Sequence, residues 1–195
     1  MWREKAQLMS ASEIERTLVR LAHEIVEKNN GVEGLALVGI RRGGEPLARR
    51  LAALAARIEN KPVPVGTLDI TPYRDDRGLR PMRAGGREPA RKPAQIAFDI
   101  TGMNVILVDD VLYTGRTIRA ALDALFDHGR PRRVQLCALI DRGHRELPVA
   151  AGFVGKYVQT TAQEVVVVKL RELDGIEKVL LVEPEPPLIA PPPEA

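Results

Sequence analysis

Short apolar segments with almost no polar interruption are the strongest constraint on the fold of this chain. Three of them read GLALVGI (34–40), VILV (105–108) and VQLCALI (134–140). Each is too short for a typical buried helix, and none shows the alternation of a strand with one solvated face. Such segments are typical of strands that are covered on both faces, so the chain needs helices above and below a central sheet.

Segments with helical periodicity alternate with these strands. Residues 10–30 carry a capping-box pair at Ser10 and Glu13, followed by an apolar face at helical spacing formed by Ile14, Leu18, Leu21, Ala22 and Ile25. A glycine turn and a second helix fill 41–58, with Pro46 in its first turn, and a third helix spans 117–128. Further strands are predicted at 63–70, 164–170 and 179–183. The pattern predicts an α/β fold with an open, mostly parallel sheet and helices on both faces.

Length and composition favour one domain. The chain has 195 residues, of which 45% are apolar, enough for a substantial core. We predict a single domain over 1–182 and a disordered, proline-rich tail over 183–195. An arginine-rich segment, 70–97, is long for an internal loop and is interpreted as a flexible lid or a disordered insertion.

Cysteine content, the first residues and the lengths of the apolar runs bear on where the protein is located in the cell. Cys137 is the single cysteine and falls inside an apolar run, so we expect a buried thiol and a reducing, cytoplasmic environment. The first ten residues are charged, unlike a secretory signal, and no apolar run reaches membrane-spanning length. The net charge of +3 permits an anionic ligand or a nucleic acid but requires neither.

The segment VILVDDVLYTGRT (105–117) carries the chemistry. Asp109 and Asp110 follow an apolar strand, at the end of a parallel sheet where ligands bind. Thr114, Gly115 and Thr117 then open a helix, and a helix N-terminus presents free N–H groups that suit phosphate. Carboxylates accept hydrogen bonds from hydroxyl groups, so a ribose 5-phosphate would satisfy both halves of the segment. The alternative is a magnesium-binding signalling domain, because strands that end in Asp are common in α/β proteins.

The complete string resembles the phosphoribosyl pyrophosphate (PRPP) signature of type I phosphoribosyltransferases. Longer strings, among them LDITPYRDD (68–76) and DRGHRELP (141–148), resemble the PyrR family from about residue 6 to about 180. The resemblance implies the type I phosphoribosyltransferase fold, with a small hood and a flexible lid loop. It also implies that PRPP is bound by the whole segment, namely Val105, Ile106, Leu107, Val108, Asp109, Asp110, Val111, Leu112, Tyr113, Thr114, Gly115, Arg116 and Thr117.

The PyrR resemblance implies a uracil phosphoribosyltransferase, which makes UMP and pyrophosphate from uracil and PRPP. It assigns catalysis to Asp109, Asp110 and Arg142 and base binding to Arg142 and Gly143. Mg²⁺ would arrive with PRPP, and the two aspartates would be its candidate protein ligands. The pyrophosphate loop would comprise Arg41, Arg42 and Gly43, and the lid would include Tyr73, Arg74, Asp75 and Asp76. Here the chain departs from the family, which has Thr and Arg at 42 and 43.

The same family regulates pyrimidine operons by UMP-responsive binding to a messenger-RNA hairpin. The resemblance assigns this contact to Arg20, His23, Lys28, His144, Arg145 and Lys156. Val19 and Ala150 replace a usual threonine and a usual arginine, which should weaken RNA binding. An ordinary solvated face is the alternative for the basic residues, and a degenerate member that binds PRPP or nucleotide without full activity is the alternative for the protein. A homodimer or a higher homo-oligomer is expected.

Overall fold

The computed structural model describes residues 2–73 and 95–185. Its elements are β1 (Trp2–Ser10), α1 (Ala11–Lys28), β2 (Leu35–Ile40), α2 (Gly44–Glu59), β3 (Val65–Leu68), a short 3₁₀ turn (Thr71–Tyr73), β4 (Asn104–Leu112), α3 (Arg116–Phe126), β5 (Arg133–Asp141), β6 (Phe153–Tyr157), β7 (Val165–Lys169), α4 (Arg171–Asp174) and β8 (Lys178–Pro184).

A parallel five-stranded sheet forms the centre of the molecule. Its strand order is β3-β2-β4-β5-β6, and every adjacent pair is parallel. Alternate residues of β4 serve the two faces: Ile106 and Val108 pack with α1 and α2, whereas Val105 and Leu107 pack with α3. The prediction of a parallel sheet covered on both faces is confirmed.

The chain ends form a second, smaller sheet. It is antiparallel, with the order β1-β8-β7, and it packs against the α1 and α2 side of the core. This sheet corresponds to the expected hood. Strand β8 continues through Pro184, two residues past the predicted end of the domain, and the tail from residue 186 lies outside the described residues.

Helix α1 forms as the sequence predicts. Ser10 and Glu13 make the reciprocal capping box, and the five predicted apolar residues are buried. Cys137 is also buried, and desolvation raises the pKa of its thiol to about 12, so the thiol is not reactive at neutral pH.

Two strands were missing from the sequence prediction. Strand β1 is charged and exposed along most of its length, so it lacks the apolar signal of a core strand. Strand β6 is an edge strand of five residues, and only Phe153 in it is fully buried. Hydrophobic patterning fails for both because one face of each strand is largely exposed to solvent.

Candidate active site

The two acids lie within β4. Strand β4 runs to Leu112 between β2 and β5, so Asp109 is only 6% exposed while Asp110 is partly exposed. The sequence predicted that both acids follow the strand, and this is wrong, because β4 continues through them and pairs Asp109 with Ala138 of β5. The backbone N–H of Asp110 donates to Asp109 Oδ1 at 3.0 Å, and that of Val111 donates to Asp110 Oδ1 at 2.9 Å. Both carboxylates are therefore oriented by the adjacent main chain.

The predicted phosphate loop follows directly. Gly115 has a φ of +93° and precedes α3, and the N–H of Arg116 donates to Thr114 Oγ1 at 3.4 Å. A Cβ at this position would lie 3.3 Å from both Leu147 and Val149, so conformation and space both favour glycine. The backbone N–H groups of Glu146 and Leu147 donate to Thr114 O at 3.0 and 3.1 Å. The segment after β5 therefore braces the turn that opens α3, and the first turn of α3 presents its N–H groups as a phosphate site requires.

The predicted pyrophosphate loop packs directly on the acids. A Cβ at Gly43 would lie 2.2 Å from Asp110 Oδ2, and one at Gly44 would lie 2.1 Å from Val108 O. Because Gly43 has ordinary helical dihedrals, contact and not conformation requires glycine there. Arg41 Nε approaches Glu45 at 3.4 Å, whereas Arg42 is exposed. The loop thus brings its main chain, instead of a side chain at 43, to the edge of the acid pair.

Arg142 is buried next to the same site, at the end of β5. Its guanidinium lies 4.1 Å from the centre of the Tyr113 ring, and its backbone N–H donates to Leu112 O at 3.1 Å. Nε donates to Thr160 Oγ1 at 3.1 Å and Nη2 to Thr161 O at 3.0 Å. Desolvation lowers the pKa of the guanidinium from its ordinary value. The adjacent Gly143 has a φ of +73°, and its N–H donates to Asp141 Oδ1 at 2.9 Å.

The residues that hold Arg142 were missed by the sequence reasoning. Glu164 is 6% exposed, and its carboxylate accepts from Lys5 Nζ at 2.5 Å and from the Thr161 N–H at 2.6 Å. The hydrogen bond from Lys5, followed by that from Thr161, lowers the pKa of Glu164 to about 2. A Thr–x–x–Glu spacing at 161–164 was the available signal, since it is the spacing of a capping box.

The predicted RNA residues fall into two groups. Arg20 and Lys28 lie on α1 and reach across to β6: Arg20 Nη2 donates to Gly155 O at 2.7 Å and Lys28 Nζ to Gly152 O at 2.9 Å. Lys156 lies on β6 beside α1, and His23 is exposed on α1. Arg20, Lys28 and Lys156 therefore border the α1–β6 seam.

The other two predicted RNA residues lie near Arg142. His144 Nε2 is 2.7 Å from Thr160 O, and its ring meets the Tyr113 ring edge-on. Arg145 donates to Asp141 Oδ2 at 2.5 Å and to the carbonyl oxygen of Tyr113 at 2.7 Å. The guanidinium of Arg145 is thus engaged in holding the loop after β5.

Of the four named lid residues, Tyr73 is the one that the structure describes. Tyr73 ends the 3₁₀ turn, and its hydroxyl donates to Asp127. Gln95 forms a bridge with Thr67, which anchors the other side of this segment to β3. Arg74, Asp75 and Asp76 lie outside the described residues.

The acid pair supplies hard oxygen ligands, which suit Mg²⁺. Within residues 2–73 and 95–185, no group of three or more potential ligands from His, Cys, Asp and Glu comes together. A pair of carboxylates fits a magnesium ion that takes its other ligands from a substrate phosphate and water, as Mg²⁺ usually does. The donor set does not fit an all-protein cage. Across the described helices, none combines the length and the hydropathy that a membrane crossing needs.

Comparison with solved structures shows the fold. A hypoxanthine-guanine phosphoribosyltransferase from Bacillus anthracis matches with a TM-score of 0.64 at 21% identity, covering 93% of this chain and 99% of that chain. A hypoxanthine phosphoribosyltransferase from Trypanosoma cruzi matches with a TM-score of 0.67 at 19% identity, covering 93% and 98%. At these identities the likeness concerns the architecture and not the base.

Sequence comparison shows the family. The model of the phosphoribosyl transferase domain matches residues 5–172. The Bifunctional protein PyrR of Thermus aquaticus is 59% identical over 181 residues, which cover 93% of this chain and 97% of the relative. That of Chloroflexus aurantiacus is 57% identical over 175 residues, covering 90% and 93%. This chain therefore belongs to the phosphoribosyl transferase domain family and, within it, to the PyrR proteins.

Proposed function

We propose that the protein is a uracil phosphoribosyltransferase and a UMP-responsive, RNA-binding regulator of pyrimidine-operon attenuation. The observation that carries the enzymatic half is the placement of Asp109 and Asp110 between the Gly43 loop and the N-terminus of α3. Membership of the PyrR proteins at 57–59% identity supports both halves. None of these observations favours a degenerate member.

Three sets of residues in the site bind the ribose, the 5-phosphate and the pyrophosphate of PRPP. Asp109 and Asp110 accept hydrogen bonds from the ribose hydroxyls, and the turn at Thr114–Thr117 binds the 5-phosphate through N–H groups and hydroxyls. The main chain around Gly43 contacts the pyrophosphate, with Arg41 or Arg42 supplying a guanidinium. Asp109 and Asp110 would hold the Mg²⁺ that accompanies PRPP, which would neutralise charge on the pyrophosphate.

The reaction is a displacement at the anomeric carbon. Uracil N1 forms the bond to C1 of the ribose while the bond from C1 to the pyrophosphate oxygen breaks. Pyrophosphate leaves with the bonding electrons, and the N1 proton passes to water. Positive charge builds up on the ribose ring, as in other displacements at an anomeric carbon. Asp109 is fixed by main-chain contacts, so its negative field is in place before the reaction and needs no rearrangement.

Base recognition is assigned to the end of β5. Arg142 and the main chain of Gly143 meet the edge of uracil, and the stacking of Arg142 on Tyr113 fixes the plane of the guanidinium. Since Thr160 and Thr161 take up Nε and Nη2, the direction of the remaining N–H groups is set as well. A small pyrimidine is the base that we assign to this site.

The regulatory half of the proposed function depends on the reaction product, UMP, and on a bound RNA hairpin. UMP, the product, occupies the same site, and the RNA hairpin is bound by the basic residues predicted for it on α1, on β6 and in the loop after β5.

We also propose a cytoplasmic location, consistent with the thiol of Cys137, and self-association into a dimer or a larger ring. Sedimentation velocity tests the self-association.

One experiment separates the alternatives. UMP formation from uracil and PRPP is measured beside the same assay with hypoxanthine and guanine. We expect turnover with uracil, and turnover with a purine but none with uracil would overturn the assignment. A mobility-shift assay with the leader hairpin of a pyrimidine operon, with and without UMP, then tests regulation, and equal binding to an unrelated hairpin would contradict it.

A further inference from the structure

The end of the sheet opposite the proposed active site carries a cleft from which the proposed function uses only Lys28. Its volume is about 430 Å³, and it lies between the C-terminus of α1 and the starts of β4 and β5. All of its lining side chains are cationic or amide-bearing: Lys28, Asn29, Asn30, Asn104, Arg132 and Arg133.

The arginines of this cleft are not neutralised by neighbouring acids. Arg132 Nε donates to Asn104 Oδ1 at 3.2 Å, and within the described ranges neither Arg132 nor Arg133 has a carboxylate partner. Both are exposed. Most other exposed arginines differ in this respect: Arg3, Arg49, Arg119 and Arg171 each pair with a Glu or Asp.

A second cleft of about 290 Å³ lies at the other end of α1. Arg16, Arg20 and Lys156 border it, with Glu13 as its acid. Arg20 and Lys28 join the two clefts, because both side chains cross from α1 to carbonyl oxygens of the β6 segment. Arg16 and Lys28 are twelve residues apart on one helix, or about 18 Å.

The six cations Arg16, Arg20, Lys28, Lys156, Arg132 and Arg133 are called the α1–β6 strip below. Glu13 borders the second cleft, and Glu24 pairs with Arg20. The strip thus gathers six cations, whereas the whole chain has a net charge of only +3. A cationic strip on an otherwise nearly neutral protein favours an extended polyanion over a single small anion.

We propose that the α1–β6 strip binds the sugar–phosphate backbone of the hairpin stem and that Arg132 and Arg133 form its far end. This inference rests on the regulatory half of the proposed function and extends it to residues that the family resemblance does not assign. Guanidinium groups match phosphate geometry, and the amides of Asn29 and Asn30 suit ribose hydroxyls. The cleft has no aromatic side chain on which a base could stack. The contact therefore positions the RNA without reading its sequence.

The test compares two double variants in a hairpin-binding assay over a range of salt concentrations. Arg132→Ser with Arg133→Ser removes two charges from the strip, and Arg3→Ser with Arg171→Ser removes two exposed arginines from the hood sheet and α4. We expect the strip variant to bind roughly tenfold or more weakly near physiological salt and its salt slope to fall by about two, roughly one per phosphate contact. The loss should be equal for a hairpin with the same stem and a scrambled loop, and UMP synthesis should be unchanged.

The outcomes are distinguishable. Unchanged affinity and slope in the strip variant, or an equal loss in the hood variant, would overturn the inference while leaving the regulatory proposal standing. A loss confined to the cognate loop would also overturn it, since the contact would then read bases. Failure of the unmodified protein to bind the hairpin would overturn the inference and the regulatory proposal together.

Discussion

The carboxyl end of the parallel sheet and the α1–β6 strip are built in opposite ways. At the sheet end, two acids are oriented by adjacent main-chain N–H groups, and a glycine loop packs on them within contact distance. Along the strip, long cationic side chains span residues far apart in sequence, such as Arg20 and Gly155 or Lys28 and Gly152. The first region is fixed by the backbone before any ligand arrives, which suits catalysis. The second is a charge distribution, which suits a polyanion and should depend strongly on salt.

The largest expected effect is at the sheet end. Asp109→Asn with Asp110→Asn keeps the side-chain shape and removes both charges, so UMP formation should fall by about a thousandfold or more. Calorimetry should show loss of PRPP binding, with an unchanged circular dichroism spectrum. Asp123→Asn on the exposed face of α3 is the control. Normal PRPP affinity in the double variant would contradict the assignment of PRPP binding to Asp109 and Asp110.

A smaller effect is expected where the glycine loop meets the acids. Gly43→Ala places a methyl group against Asp110, and overpacking costs about 1–3 kcal/mol, which corresponds to a loss in kcat/KM for PRPP of roughly fivefold to 150-fold. Gly152→Ala is the matched control, because its nearest neighbour would be a carbonyl oxygen at 3.9 Å. Equal kinetics for the two variants would mean that the loop moves away from Asp110 during turnover.

Glu164 tests how the sheet-end site is supported, since it joins β1 to the segment that holds Arg142. Its folded pKa of about 2 lies below the ordinary value of 4.5, so its carboxylate stabilises the fold fully above about pH 5. That contribution is lost as the pH falls from about 4.5 towards 2. Urea unfolding at pH 7 and at pH 3.5 measures it. Glu164→Gln should lower the free energy of unfolding at pH 7 and should reduce the difference in that free energy between pH 7 and pH 3.5. An unchanged difference would contradict this role.

The smallest effect concerns RNA affinity. Val19→Thr with Ala150→Arg adds a hydroxyl and a guanidinium at exposed positions, and the latter should steepen the salt slope of hairpin binding by about one. The affinity should rise a few-fold by the same argument. Ile58→Thr with Ala53→Arg adds the same two groups at exposed positions of α2. If that pair raises the affinity equally, the gain comes from overall charge and not from the RNA surface.

The same contrast explains what sequence could predict. The core strands, the capping box of α1 and the turn into α3 are specified by residues close together in the chain, and all are confirmed. The burial of Asp109 was not predicted, because it depends on how far β4 continues beside β5. Strands β1 and β6 were missed for lack of an apolar pattern. The Lys5–Glu164 contact and the strip require knowing which distant segments meet, and no local pattern encodes that.

The pairing of β1 with β8 has a consequence for the order of folding. Arg3 and Glu183 meet across this pair although 180 residues separate them in sequence. Closing so long a loop costs more entropy than forming the neighbouring parallel pairs, so β1 should join the structure late. During synthesis β1 is made before β8, so it cannot pair until β8 is available. The contact of Lys5 with Glu164, which supports the Arg142 segment, therefore also forms late. Pulse-labelling hydrogen exchange during refolding should therefore protect the amides of β4 before those of β1, and the reverse order would refute this sequence of events.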